Sequence, residues 1–228
     1  MHVPYEGLGS LEYYFVSRGW ELSVTRWFAG ERAPEMSQID LLIVMGGPMN
    51  VGDEQEHPWL LQEKRAIEQA LRLGVPAMGV CLGGQLLATV MGAEVKRNQH
   101  TEIGWFPLRW EVDPQNALLT DLPAVVTPFH WHSDTFDIPS GATRFASSEA
   151  CAHQGFFVES KVLALQFHFA MLPSNVANLY EACGTDLLSD TYVQTMEQVL
   201  SSPNHFVQAS RDLTQLVSNF LSTTVKSI

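Results

Sequence analysis

Residues 75–85 read Val-Pro-Ala-Met-Gly-Val-Cys-Leu-Gly-Gly-Gln, an apolar run that breaks at a cysteine and passes into a helical pattern. Val75 to Val80 suits a buried strand. Gly79, Gly83 and Gly84 permit the tight, close-packed turn that a Gly-x-nucleophile-x-Gly elbow requires. The helix that begins at Gly83/Gly84 runs to Gly92 and sets Cys81 at its positive end, where the helix field lowers a thiol's pKa. Cys81 is therefore the candidate nucleophile, with the Leu82 N–H beside it facing the oxyanion that develops in acyl transfer. The bland alternative is a small buried cysteine in an ordinary strand-to-helix loop.

Upstream, Asp40-Leu-Leu-Ile-Val-Met-Gly46-Gly47-Pro48-Met49 is a continuous apolar run ending in glycines, as in strands buried on both faces of a parallel sheet. Glycines at the C-terminal end of such a strand lie where open α/β sheets bind ligands. Pro58 opens a helix that Gly74 ends. Ser10 can cap a helix from Leu11 to Gly19, and Glu21 to Phe28 reads as a strand. Only Met1 to Tyr5 precede the Glu6-Gly7-Leu8-Gly9 loop, so either the first strand is very short or the encoded start lies upstream. This alternation predicts an α/β fold, a doubly wound, mostly parallel sheet with helices on both faces.

After Gly92 the pattern changes to short strands over Ala93–Arg97, Gly104–Val112 and Val125–Phe129, expected as an antiparallel extension, with Trp105 in the core. Phe145–Ala150 and Gly155–Val158 are further strands. Ser174 caps a helix to Cys183, Leu187–Leu200 includes another, and Pro203 opens a last one whose Phe206, Leu213, Leu216, Val217 and Phe220 form a packing face. The whole chain is expected as one domain with a helical C-terminal tail from about residue 185.

Composition narrows the function. The 228 residues are 46% hydrophobic, enough for one sizeable core. Twenty-five acidic against 13 basic residues give a net charge of -12, which argues against nucleic acid or an anionic membrane as partner. Three cysteines without framework spacing, and no basic or apolar leader, point to a reducing, cytosolic setting. There is no Gly-x-Gly-x-x-Gly fingerprint and no phosphate loop with lysine, so no nucleotide, flavin or other cofactor is expected.

Two histidine segments remain. His130, His132 and Asp134 fall on one face of an extended chain, and His-x-His-x-Asp is a metal-ligand spacing, which supports a metal-dependent hydrolase as a competing reading. Val162-Leu-Ala-Leu-Gln-Phe-His168 runs apolar into a histidine, 87 positions (168 - 81) after Cys81. A lone histidine there is more often a hydrogen-bonded core residue.

The string Pro76-x-x-Gly79-Val80-Cys81-x-Gly83-x-Gln85 resembles the nucleophile motif of the class I glutamine amidotransferases, the Cys-His-Glu family that hydrolyses glutamine to glutamate and ammonia. The resemblance runs from about Gly7 to Thr195 and is closest to the stand-alone, GMP synthase-like members. It implies a flavodoxin-like sheet and makes Gly46-Gly47-Pro48 the oxyanion loop, with the Gly47 N–H as the second donor beside that of Leu82. Leu165-Gln166-Phe167-His168 resembles the catalytic-histidine motif. Trp131-His132-Ser133-Asp134 resembles the segment whose backbone holds the substrate's amino-acid end, with Ser133 in place of the usual glycine, and Gln85 holds the same substrate. The family continues with a glutamate two residues after the histidine; this chain has His168-Phe169-Ala170. Glu149, Glu159 and Glu181 are substitutes only by being nearby in the chain. The resemblance thus implies a weakened or partner-dependent glutaminase, with a separate ammonia-accepting synthetase chain as partner. A hydrolase of γ-glutamyl amides or peptides, and a catalytically silent protein that keeps the glutamine pocket, are the alternatives.

Overall fold

The computed structural model describes residues 1–184 and 190–224. Among these, seven strands form one sheet and two more form a separate ribbon. In chain order the strands are β1 (Leu42–Val44), β2 (Ala77–Val80), β3 (Val95–Trp105), β4 (Leu108–Trp110), β5 (Val125–Val126), β6 (Phe129–Phe136), β7 (Thr143–Ser147), β8 (Gly155–Val158) and β9 (Val162–Leu165). The helices are α1 (Ser10–Val16), α2 (Trp59–Leu73), α3 (Leu82–Val90), α4 (Pro173–Cys183), α5 (Met196–Leu200) and α6 (Pro203–Thr224). No helix among the described residues is long and apolar enough to cross a membrane.

The sheet order is β1-β2-β9-β8-β7-β4-β5. β1, β2 and β9 run parallel, and every pairing beyond β9 is antiparallel. The sheet is mixed, with the antiparallel extension expected after Gly92 and a parallel part of three strands. Its central strands bury both faces, as their uninterrupted apolar sequences require. Met78, Val80, Leu163 and Leu165 pack with α1 and α6 on one side. Ala77, Val162 and Ala164 pack with α2 and α3 on the other.

The strand expected at Glu21–Phe28 is absent, as is the very short first strand that is one of the two readings of Met1–Tyr5. Only a short 3-10 turn, Trp27–Ala29, forms there. The segments do meet: the Met1 amine donates to the Thr25 carbonyl at 2.9 Å, and the Trp27 N–H donates to the Met1 carbonyl at 3.1 Å. Pro4 offers no N–H to extend this pairing, so contact stops short of a ladder. Expected strands 93–97 and 104–112 are instead one long β3 followed by β4, because β3 leaves the sheet to pair with β6 as an antiparallel ribbon whose register shifts between Arg97 and Glu102. The helix expected to be capped by Ser174 is capped two residues earlier, at Leu172, whose N–H donates to the Asn175 side chain. Of the helix expected within Leu187–Leu200, the structure gives α5; residues 185–189 lie outside the described set.

Candidate active site

The parallel strands β1, β2 and β9 end side by side, and their C-terminal ends carry Gly46-Gly47, Cys81 and His168. The Cys81 N–H donates to the Leu165 carbonyl at 2.7 Å, which extends the β2–β9 ladder by one rung before the chain turns. Cys81 then takes φ 52° and ψ -112°, a left-handed conformation that ordinary side chains avoid, and stands as the N-cap of α3. The flanking glycines have a steric reason. A Cβ on Gly83 would fall on the Val44 carbonyl oxygen, one on Gly79 would fall on the Gly83 carbonyl, and one on Gly84 would lie 2.8 Å from the Leu165 carbonyl oxygen. The elbow is therefore wedged between β1 and β9 by backbone alone.

Cys81 is 8% exposed, and its thiol donates to the Trp131 carbonyl at 3.6 Å. Gln166 donates to the sulfur at 3.7 Å and accepts from Gln85 at 3.2 Å. The expectation of an acidified thiol is not met. Burial pushes the Cys81 pKa well up, the Glu6 carboxylate adds to the shift, and the Leu82 N–H opposes it without prevailing. The helix end acts, but desolvation is the larger effect.

His168 is fixed by its backbone: it exchanges N–H···O bonds of 3.0 and 2.7 Å with Phe129, the residue that opens β6. The same ribbon thus supplies the carbonyl that holds the thiol and the clamp that holds the histidine. The imidazole is buried, and its Nε2 has no hydrogen-bond partner among the described residues. Burial, with His132 and His130 nearby, lowers its pKa to about 3. Since the unfolded imidazole titrates near 6.5, protonation favours unfolding, and stability is lost as pH falls from 6.5 towards 3. Urea midpoints should show wild type losing about 3 kcal/mol more than His168→Gln between pH 7 and pH 4. Parallel profiles would contradict this burial.

Gly47 lies beside the elbow, since a Cβ there would come 3.1 Å from Leu82 Cδ2 and 2.8 Å from His2 Cβ. The loop is pinned by a residue that sequence reasoning passed over: buried His2 bonds the Gly46 carbonyl at 2.8 Å through Nδ1 and Glu63 at 2.8 Å through Nε2.

The His130, His132, Asp134 trio does not converge. Asp134 pairs with Arg97 at 3.6 Å across the ribbon, and Glu102 takes its place against both histidines. The donor atoms of Glu102, His130 and His132 lie within 4.8 Å of one another, a set that could hold a metal. Gln154, however, sends its amide into their midst, 2.6 Å from Glu102 and 3.4 Å from each imidazole. The arrangement is a buried network tying β3 to β6. It holds the His132 side chain between Glu102 and the Asp134 carbonyl, at 3.1 and 3.0 Å, and Ser133 bonds Thr101 at 3.0 Å. The Trp131 ring packs edge-on to Tyr180.

None of the three suggested substitutes for the missing acid reaches His168. Glu149 and Glu181 are exposed, and Glu159 lies in the turn before β9, at the opposite end of that strand from His168. Sequence reasoning also gave no role to Gln166, although a lone amide in an apolar strand was a signal, or to Glu6, for which there was none.

Fold and site define an α/β protein of the elbow-nucleophile kind, with a cysteine at the elbow. The profile of the class-I glutamine amidotransferases matches residues 8–174, and the chain belongs to that family. Glutamine amidotransferase-like protein YfeJ of Salmonella typhimurium is 30% identical over 186 residues, covering 79% of this chain and 78% of that one. A glutamine amidotransferase structure from Thermotoga maritima superposes with TM-score 0.86 at 30% identity, over 97% of this chain and 95% of its own. Another, from Methylobacillus flagellatus, gives TM-score 0.91 at 27% identity, over 100% and 94%. The glutamine-hydrolysing GMP synthase of Aliivibrio fischeri is 29% identical over 70% of this chain, which spans 32% of that enzyme's length.

Proposed function

We propose that this chain is a glutaminase that works through a γ-glutamyl thioester on Cys81. The observation that carries the reading is the elbow: a non-glycine residue in a left-handed conformation, held by three glycines that backbone contacts leave no room to replace. His168 takes the thiol proton; the sulfur attacks the glutamine amide carbon, and the N–H groups of Gly47 and Leu82 stabilise the oxyanion. The C–N bond breaks, His168 returns the proton to the departing ammonia, and water, deprotonated by His168, releases glutamate from the thioester. Gln85, with the backbone of Trp131, His132 and Ser133, holds the amino-acid end of the substrate.

Ala170 stands where the family carries its glutamate, which weakens the enzyme unless another carboxylate serves His168. Its relatives include GMP synthases, so the ammonia acceptor is read as a separate synthetase chain, with this protein acting as one cytosolic domain that includes its C-terminal helices. Glutamate release from L-glutamine, measured beside release from a γ-glutamyl dipeptide, tests the reading. Glutamine is expected to be turned over with the higher kcat/KM. Preference for the dipeptide would make the protein a γ-glutamyl peptide hydrolase, and release from neither would leave a silent binding protein.

A further inference from the structure

Behind His168 lies a small cavity of about 20 Å³, lined by Tyr5, Glu6, Met45, His168, Ala170 and Asn175 among others. Its wall is mostly apolar, with Tyr5, Glu6, His168 and Asn175 as the polar members, and it is large enough for one water. Ala170, where the family carries its glutamate, forms part of its wall. The loop bearing Glu6 is folded onto that position: the Ser10 N–H donates to the Ala170 carbonyl at 3.0 Å, and Gly9 sits so close that a Cβ on it would fall on the same carbonyl oxygen. Glu6 and the imidazole both border Gly46, with no hydrogen bond or ion pair joining them in this structure. A single Cβ built on Gly46 would overlap the Glu6 carboxylate oxygen and lie 3.2 Å from His168 Cε1.

We infer that Glu6, reaching in from the N-terminal loop, replaces the missing triad acid and orients His168 from the side left open by Ala170. The role is one of positioning: Glu6 acts through the imidazole, and the inference rests on the glutaminase reading of Cys81 and His168. Two charge penalties are relieved together. Burial pushes the Glu6 carboxyl up to about 7 and the His168 imidazole down to about 3, so each resists ionising alone. When His168 takes the thiol proton, the imidazolium gains a carboxylate partner and the carboxylate gains a donor.

The sign of one experiment separates this role from a bystander's. Glu6 also faces Cys81, where a carboxylate by itself opposes the thiolate. A bystander's removal would therefore speed alkylation of Cys81 by iodoacetamide. The proposal predicts the opposite, since without Glu6 the imidazole no longer holds the thiol proton. Glu6→Gln, nearly isosteric, is expected to slow alkylation and to lower kcat by about 10²-fold with KM little changed. This falls short of the ~10⁴-fold that a serine triad loses with its acid, because cysteine is the stronger nucleophile. In Glu6→Ala, added formate should restore at least about tenfold of the loss by supplying the carboxylate. Unchanged or faster alkylation in Glu6→Gln, or a loss in Glu6→Ala that formate does not repair, would overturn the inference. Alkylation needs no substrate, so a protein that passes this test yet releases nothing from glutamine would refute the glutaminase reading and leave the Glu6–His168 coupling standing.

Discussion

Cys81→Ala is expected to bring glutamine hydrolysis to background, a fall on the order of 10⁴–10⁶-fold, because the nucleophile of a covalent mechanism has no substitute. The effect should be confined to chemistry. Cys81 contributes one N–H to the Leu165 carbonyl and a small side chain to the core, and alanine keeps the first and most of the second. The variant should unfold within about 1 kcal/mol of wild type once the strain of a left-handed alanine, shared with cysteine, cancels. Its affinity for glutamine should survive, since the substitution removes only the long sulfur contacts to Gln166 and the Trp131 carbonyl, at 3.7 and 3.6 Å, and leaves the Gln85–Gln166 bond and the β3–β6 pairing in place. Residual turnover above a hundredth of wild type would move catalysis away from Cys81.

Gly83→Ala should have the largest effect on stability. The added methyl would land on the Val44 carbonyl oxygen, with the Met45 carbonyl oxygen 3.0 Å away. Both are backbone atoms of β1 and the residue after it, so no rotamer can move aside. The elbow must separate from β1, opening the packing of Leu82, Leu86 and Leu87 against Val44 and Leu60. A loss of about 3 kcal/mol or more is expected, with the alkylation rate of Cys81 rising as the site loosens. Gly52→Ala is the control: nothing lies within 4 Å of its added Cβ, and its denaturation midpoint should hardly move. Equal midpoints for the two variants would contradict the close-packed elbow.

The parts of this architecture visible in the sequence are those governed by local rules. Gly79, Cys81, Gly83 and Gly84 announce their turn because each glycine answers a steric demand within a few residues, and β9 announces itself by an apolar run. What the sequence concealed depends on pairing between distant segments. The β3–β6 ribbon drew Glu102 rather than Asp134 to the two histidines, because Arg97 on the facing strand captures Asp134 and a register shift brings Glu102 opposite His132. The thiol was expected to be acidified by its helix, yet burial, set by three strands and a ribbon closing over it, outweighs the helix end. Glu6 is the sharpest case: 162 positions (168 - 6) separate it from His168, and no spacing rule connects a loop carboxylate to a strand-end imidazole.

The most direct test of the thioester account is intact-protein mass spectrometry after incubation with a halomethyl ketone analogue of glutamine, followed by peptide mapping. The account predicts one equivalent bound, on Cys81 and not on Cys151 or Cys183, with free glutamine protecting the site. Labelling spread over the three cysteines, or a Cys81 adduct that glutamine does not slow, would contradict it.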